Sequence, residues 1–238
     1  MLLYKILSVI SYLLFLPTFF LSAVILITIS FIYLPMFYVF DKIFCRLMML
    51  PFFLWPKIRG NFPKNGTYII MMNHSSFIDA FIFPLIPTGC WTGVTAAKNF
   101  KIPVFSALMR RIKAIPIERT NLRSAIESIG VAEKVLMQNI HIGILPEGTR
   151  TLCGRLGLLK KGGFHMAINT NTPIVPVGVS GAFKFKPKNR WWTKPVPIVI
   201  NIGETINTDT YDELGLEGLM GVVEKKLQQL SGGKYENK

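Results

Sequence analysis

The hydrophobic pattern divides the chain into an apolar N-terminal part and a longer part in which short apolar runs alternate with polar segments. From Ile6 to Phe40 there is no Asp, Glu, Lys or Arg over 35 positions. A straight helix needs roughly 20 apolar residues to cross the bilayer core. We expect Pro17 and Pro35 to break the run. Its length therefore predicts either a tilted transmembrane helix followed by an interfacial helix, or a hairpin within one leaflet.

A second apolar segment, residues 43–55, ends at Trp55 beside Lys57, a pairing typical of the lipid headgroup region. A cleaved signal peptide is less favoured, because its apolar region spans only about 7–15 residues. Basic residues are more frequent after the run than before it, which predicts that the following domain lies on the cytoplasmic face. Lys5 precedes the run, and Lys42, Arg46, Lys57 and Arg59 follow it.

Beyond residue 60, strand-like runs alternate with helical patterns. The predicted strands are residues 67–72, 92–97, 114–117, 141–146, 173–179 and 197–203. The predicted helices are residues 76–85, 100–112, 121–139 and 209–230. This alternation predicts an α/β fold with a mostly parallel central sheet flanked by helices. We therefore expect an N-terminal membrane-embedded helical region at 1–60, an α/β domain at 61–230 and a flexible tail at 231–238.

Composition and charge agree with a membrane-associated protein. Half of the residues are hydrophobic and the net charge is +14, a combination that is rare in soluble domains. Residues 1–60 carry a net charge of +4 and the remainder +10, so an anionic bilayer or anionic substrates would be attracted. Cys45, Cys90 and Cys153 form no CxxC pair, which excludes a disulfide framework and favours a reducing compartment.

The first polar cluster lies between the strand at 67–72 and the helix that follows it. In such sheets, sites form at the carboxyl ends of strands. His74 in the turn and Asp79 in the first helical turn could make contact, and Ser75 or Ser76 would cap the helix. A histidine whose tautomer is fixed by a carboxylate can act as a general base. The alternative is a loop histidine that only helps to cap the helix.

A second cluster is Ala114-Ile115-Pro116-Ile117-Glu118-Arg119-Thr120, in which the strand at 114–117 brings Glu118 and Arg119 to its carboxyl end. Arg119 is a candidate phosphate ligand, because a guanidinium forms bidentate pairs with oxyanions. The alternative is a surface ion pair between Glu118 and Arg119.

A third cluster, Leu145-Pro146-Glu147-Gly148-Thr149-Arg150, begins at the carboxyl end of the strand at 141–146. Gly148 allows close approach of the backbone to a ligand, and Thr149 and Arg150 supply a hydroxyl and a cation for an oxyanion. The alternative is a glycine turn with solvated charges. The pattern GxxxxGK[ST] is absent from the chain, so this is not a nucleoside triphosphate loop.

Taken together and in order, these clusters resemble the glycerolipid acyltransferases of the lysophosphatidic acid acyltransferase type. The family's NHxxxxD block is NHSSFID here, its arginine block is IPIERT, and its FPEGTRS block is LPEGTRT, with Leu145 and Thr151 as mild departures. Its apolar strand with a central proline is TPIVPVGVSG. The four blocks span residues 73–181, and the resemblance covers most of residues 60–215. It also extends to the apolar N-terminus, since bacterial members have a membrane-embedded helical motif there.

The resemblance implies a membrane-bound enzyme that transfers a fatty acyl group from acyl-CoA or acyl carrier protein to the sn-2 hydroxyl of lysophosphatidic acid, giving phosphatidic acid. His74 would be the general base and Asp79 its partner. The residues expected to bind the glycerol phosphate are Arg119, Glu147, Gly148, Thr149 and Arg150, with Lys98 as a further cation. The alternative is the same reaction on another lysolipid. In a bacterium, the location would be the inner membrane.

Other functions are less favoured. A Ser-His-Asp triad would require Ser75 or Ser76 to reach the imidazole of its sequence neighbour His74, and the chain has no GxSxG elbow, so we expect direct transfer. His141 and His165 lack metal-ligand spacing, and we expect neither a metal nor a cofactor. A non-catalytic basic module that binds nucleic acid or anionic lipid would leave the three polar clusters unexplained, so we expect no nucleic-acid partner. The segment at 187–195, with its Trp pair, is either a second membrane contact or a packed pair.

Overall fold

The computed structural model describes residues 1–118 and 122–232. Its helices are α1 (Leu2–Ile32), α2 (Leu34–Met49), α3 (Asp79–Ile82), α4 (Pro103–Arg111), α5 (Leu122–Leu136), α6 (Gly162–Asn169), α7 (Ala182–Phe185) and α8 (Asp209–Ser231). Its strands are β1 (Lys57–Arg59), β2 (Ile69–Met72), β3 (Trp91–Ala96), β4 (Ile115–Ile117), β5 (His141–Ile144), β6 (Ile174–Ser180) and β7 (Val199–Ile202). Each predicted strand overlaps one of β2 to β7. The pattern did not predict β1, α6 or α7, because β1 and α7 are too short to show periodicity and α6 begins with two glycines.

The strands form a single sheet in the order β1-β7-β6-β2-β5-β3-β4. All neighbouring pairs are parallel except β6 and β7, so the predicted fold class is confirmed. Strand β2 lies in the middle, between β5 and β6. Because these three strands are parallel, the loops after residues 72, 144 and 180 emerge at the same edge of the sheet.

The two faces of the sheet are covered by different helices. Successive side chains of a strand point to opposite faces, and β2 shows this directly. Ile70 and Met72 pack in a cluster that includes Phe52 of the N-terminal region. Ile69 and Met71 pack on the other face, in a cluster that includes residues of α5, α6 and α8. The N-terminal helices thus form one layer of the domain itself.

Helix α1 continues through Pro17, so the predicted break at that residue is wrong. A single proline removes one backbone hydrogen bond, and in apolar surroundings the remaining turns keep the helix intact. The actual break is at Tyr33, which is extended with φ −154°, and Pro35 lies in the first turn of α2. The region predicted to be membrane-embedded and helical, residues 1–60, also contains strand β1, which pairs with β7 at the edge of the sheet.

The surface of α1 has its polar and apolar residues reversed relative to a soluble helix. Its serines are buried against the protein, whereas many large apolar side chains are exposed. The buried serines are Ser8, Ser11, Ser22 and Ser30. The apolar side chains that are more than half exposed include Leu2, Leu3, Leu13, Leu14, Phe20, Leu21, Val24, Phe31 and Ile32. By length and composition, α1 is able to cross a membrane.

Candidate active site

His74 and Asp79 form a close pair at the carboxyl end of β2. His74 Nδ1 lies 2.8 Å from Asp79 Oδ2. Asp79 is 1% exposed, whereas the His74 side chain is 20% exposed. Because a carboxylate can only accept, Nδ1 carries the hydrogen, and Nε2 is left as the basic nitrogen. The contact expected from the five-residue spacing is therefore present.

Asp79 organises the turn that carries His74. Its Oδ2 also accepts the backbone N–H groups of Ser75 at 2.7 Å and Ser76 at 2.9 Å. The expected cap by a serine hydroxyl is wrong, since the residue before α3 is Ile78 and has no side-chain cap. The Ser76 hydroxyl instead donates to the carbonyl of Lys186 at 2.9 Å. The same buried carboxylate thus both holds the turn in shape and orients the imidazole.

Asn73 ties the same turn to the neighbouring strand β6. Its Oδ1 accepts the N–H of Val179 at 2.7 Å, and its Nδ2 donates to the carbonyl of Val179 at 3.1 Å. Asn73 is buried. Asn73 opens the NHSSFID block, but its structural role was not predictable, because its partner lies on a strand 106 residues away in the chain. The pairing fixes the point at which the chain leaves β2 for His74.

Glu147 braces the backbone of His74. Its Oε1 accepts the His74 N–H at 2.6 Å, and its Oε2 accepts the Gly157 N–H at 2.7 Å. The His74 carbonyl in turn accepts the N–H of Thr151 at 3.0 Å. Burial raises the pKa of Glu147, and the two N–H groups partly counteract this. Both carboxylate oxygens are thus engaged with backbone groups, an arrangement that differs from the phosphate contact expected for this residue.

The other predicted site residues are spread along the same edge. Gly148 has φ +69° and forms the tight turn after β5 that a glycine favours. Thr149 is exposed and Arg150 half-buried. Lys98 is exposed on a short turn after β3, two strands away from β2, and no hydrogen bond joins it to His74 within residues 1–118 and 122–232. Arg119 lies outside the described residues.

The sequence analysis did not predict Lys186 as a site residue, although it lies near two other cations, Arg150 and Arg190. Partial burial lowers the pKa of Lys186, and the nearby charges of Arg150 and Arg190 lower it further. The Lys186 ammonium is 5.6 Å from the centre of the Phe77 ring, within the NHSSFID block. Arg190 lies in the segment at 187–195, for which a membrane contact or a packed Trp pair was predicted, and Lys186 lies just before that segment.

A mainly apolar cavity of about 410 Å³ opens beside this edge. Glu147, Gly148 and Thr149 form part of its wall. Its apolar lining comes from β3, β4, β5, α5 and α6 and includes Val94, Ile115, Ile117, Ile129, Ile144 and Met166. Its volume is in the range of small-molecule pockets, roughly 300–1,000 Å³.

Among the described residues, no three His, Cys, Asp or Glu side chains are grouped so that they could hold a metal ion.

The two tryptophans in the segment at 187–195 have different surroundings. Trp192 stacks on Tyr4 of α1 with ring centres 6.0 Å apart, and the Arg190 guanidinium lies 4.0 Å from its ring centre. Trp191 is 52% exposed, and its carbonyl accepts the Tyr12 hydroxyl at 2.8 Å. The segment therefore fastens α1 to the α/β domain and leaves one indole at the surface.

Comparison with known proteins agrees with this geometry. The family model described as Acyltransferase matches residues 56–180. The chain is 39% identical over 160 residues to the 1-acyl-sn-glycerol-3-phosphate acyltransferase of Cocos nucifera, covering 66% of this chain and 51% of that protein. It is 31% identical over 169 residues to the protein of the same name from Borreliella burgdorferi, covering 70% and 67%.

The chain spans about half the length of the first curated relatives it matches, 51% and 56%. Its fold is similar to the crystal structure of the 1-acyl-sn-glycerophosphate (LPA) acyltransferase PlsC from Thermotoga maritima, with a TM-score of 0.83 at 20% identity. That likeness covers 98% of this chain and 100% of the other. Since the family model matches more than half of the chain and includes the residues that build the His74–Asp79 site, the chain belongs to the acyltransferase family.

Proposed function

We propose that the protein transfers a fatty acyl group from an acyl thioester to the sn-2 hydroxyl of lysophosphatidic acid. The observation that carries the proposal is the 2.8 Å contact between His74 Nδ1 and Asp79 Oδ2, in a turn whose Phe77 ring centre lies 5.6 Å from the Lys186 ammonium. The relatives named above are acyltransferases for 1-acyl-sn-glycerol 3-phosphate, which supports the choice of acceptor. The alternative acceptor is another lysolipid with a free hydroxyl.

The reaction requires one proton to move twice. His74 Nε2 takes the proton of the acceptor hydroxyl while that oxygen attacks the thioester carbonyl. Asp79 holds the imidazole in the right tautomer and stabilises the imidazolium. When the tetrahedral intermediate collapses, the C–S bond breaks and the thiolate receives the proton from His74. The products are the new ester and the free thiol of coenzyme A or acyl carrier protein.

Direct transfer is favoured over an acyl-enzyme on serine. The Ser76 hydroxyl donates to the Lys186 carbonyl, and the Ser75 hydroxyl accepts from Asn73 Nδ2 at 3.3 Å. Neither hydroxyl is bonded to His74, which would be the base for a serine nucleophile.

Binding of the two substrates follows from the surroundings of His74. Arg150 would hold the acceptor's phosphate, which keeps the attacking hydroxyl beside Nε2 and lowers the entropic cost of a two-substrate reaction. Arg119 and Lys98 remain predicted contributors. The apolar cavity beside Glu147 and Thr149 is suited to the acyl chain of the donor. Glu147 would act by holding the His74 backbone.

The exposed apolar surface of α1 and α2 would lie in the bilayer, which brings a lipid acceptor to the site without its leaving the membrane. Helix α1 is about 46 Å long for its 31 residues. Its buried serines and exposed leucines are suited to lipid surroundings, where polar groups turn inward. The basic flanks favour the cytoplasmic face of the membrane for the α/β domain.

The test is acyl transfer by the purified protein in detergent micelles, with acyl-CoA and acyl carrier protein donors and a panel of lysolipid acceptors. His74→Ala is expected to lower kcat by at least 1,000-fold, on the order of what a lost base costs in a triad. His165→Ala is the matched control, because this histidine is exposed on α6 and is not part of the cavity lining. Equal activity of His74→Ala and the wild type would contradict the proposal.

A further inference from the structure

Lys186 reaches the candidate active site from a part of the chain outside the four recognised blocks. It directly follows α7, which begins two residues after β6. Strand β6 is the parallel neighbour of β2, with Met72 opposite Val177, so both strands end at the same edge. The Ser76 hydroxyl donates to the Lys186 carbonyl at 2.9 Å, which fixes the lysine backbone against the turn that holds His74.

The Lys186 ammonium is directed toward this turn. It lies 5.6 Å from the centre of the Phe77 ring, and Phe77 stands between His74 and Asp79 in the chain. Lys186 is only partly exposed, whereas Lys188, two residues further on, is exposed. A lysine that is held over an active-site residue and partly withdrawn from water differs from a solvated surface lysine.

Lys186 has two cations near it and, among the described residues, no salt bridge to an acidic side chain. Arg150 and Arg190 both act on Lys186 through their charge. Arg190 uses its guanidinium to bind the carbonyls of Lys184, Phe185 and Trp192, so it serves to hold the loop. In the part of the chain that the structure describes, the salt bridges involve other residues and none neutralises Lys186 or Arg150.

Such an unbalanced positive cluster is suited to an anion with more than one charge. A phosphate monoester carries a charge of about −1.5 to −2 at neutral pH, because its second pKa is near 6. A phosphate diester carries only one negative charge and has one fewer terminal oxygen. Two cations on one phosphate therefore favour a terminal monoester over a headgroup that is linked further.

We propose that Lys186, together with Arg150, binds the acceptor's phosphate and selects a phosphate monoester over lysolipids whose phosphate is a diester. This inference rests on the proposed function and deepens it. Lys186 is a specificity-determining residue in this proposal, and His74 retains the chemistry.

The experiment compares Lys186→Gln, Lys186→Arg and the matched control Lys188→Gln in steady-state acyl transfer. The acceptors are lysophosphatidic acid and lysophosphatidylcholine in mixed micelles. For Lys186→Gln we expect KM for lysophosphatidic acid to rise roughly 10- to 100-fold, as for the loss of a charge-assisted hydrogen bond, with little change in kcat. KM for the donor and the rate with lysophosphatidylcholine stay near wild type. Lys186→Arg recovers most of the loss, and Lys188→Gln behaves as wild type.

Two outcomes would overturn the inference and leave the proposed function intact. One is a KM for lysophosphatidic acid that changes no more in Lys186→Gln than in Lys188→Gln. The other is a rise in KM for the thioester donor alone, which would assign Lys186 to the donor's phosphates. If the wild type acylates no lysolipid acceptor, the proposed function itself fails, whatever Lys186 does.

Discussion

Replacing Glu147 by glutamine separates a bracing role from a phosphate-binding role. The glutamate is 4% exposed, and its two oxygens accept the N–H groups of His74 at 2.6 Å and Gly157 at 2.7 Å. Glutamine has nearly the same shape, but it presents one acceptor and one NH₂ group. One of the two backbone N–H groups would then face a donor. With the NH₂ group in the place of Oε1, the His74 turn loses one of its two contacts with the loop after β5.

The magnitude follows from the hydrogen bond that is lost. A hydrogen bond to a charged group contributes about 1.5–3 kcal/mol. If this energy holds His74 in its reactive position, kcat falls about 10- to 100-fold, since each 1.36 kcal/mol is about a factor of ten. We expect little change in KM for the acceptor, because both carboxylate oxygens of Glu147 are engaged with backbone N–H groups.

The substitution is expected to affect stability much less than it affects kcat. Burial raises the pKa of Glu147 above its ordinary value of 4.5. The folded state therefore favours the protonated form more than the unfolded chain does. This contribution to stability is present below pH 4.5 and is lost as the pH rises through the folded pKa. At neutral pH, glutamine removes a buried charge and one hydrogen bond together, so we expect the free energy of unfolding to change by less than about 1 kcal/mol.

The assay combines steady-state kinetics with thermal unfolding in the same detergent, and Glu213→Gln, an exposed glutamate on α8, is the control. We expect Glu147→Gln to lower kcat at nearly unchanged Tm. A rise in acceptor KM at constant kcat would refute the bracing role and restore the phosphate contact predicted from the sequence. An unchanged kcat and KM would show that the His74 turn holds its position without this carboxylate.

Two further predictions concern stability. His141 accepts the Tyr68 N–H on Nδ1 and is neutral because burial lowers its pKa from 6.5. The stability that it contributes is present above pH 6.5 and is lost as the pH falls through the folded pKa. The Tm of the wild type should therefore fall more between about pH 7 and pH 5 than that of His141→Asn, and parallel curves would contradict this. Gly143→Ala would place Cβ 2.2 Å from the Phe83 ring and should lower stability by about 1–3 kcal/mol in chemical denaturation. Gly130→Ala, which meets nothing within 4 Å in α5, should raise stability by up to about 1 kcal/mol, and equal effects of the two variants would refute the steric argument.

Much of the fold was predictable because strands and helices here carry strong local patterns. The apolar runs that became β2, β5 and β6 are buried on both faces, as expected for central parallel strands. The short elements were not predictable, since three or four residues show no periodicity. Pro17 was misjudged because proline's local effect is weaker than the packing and apolar surroundings that keep α1 helical.

The candidate site was predictable where its partners are near in sequence. His74 and Asp79 are five residues apart, and their contact needs only a turn followed by a helix. The sequence placed Glu147 among the candidate site residues. It did not predict the contact between its carboxylate and the His74 N–H, because the two residues are 73 positions apart in the chain. The partners of Asn73 and Lys186 lie more than 100 residues away in the chain.

The sequence by itself therefore determined the α/β class and the apolar N-terminal region, because both rest on local periodicity. Its four ordered blocks, rather than the spacing alone, favoured His74 and Asp79 as the reactive pair. Only the tertiary structure decided which loops meet at the edge of the sheet. The order β6-β2-β5 brings three loops together that are far apart in the chain. That order is a property of long-range packing. It places Glu147 against the His74 backbone and Lys186 near Arg150.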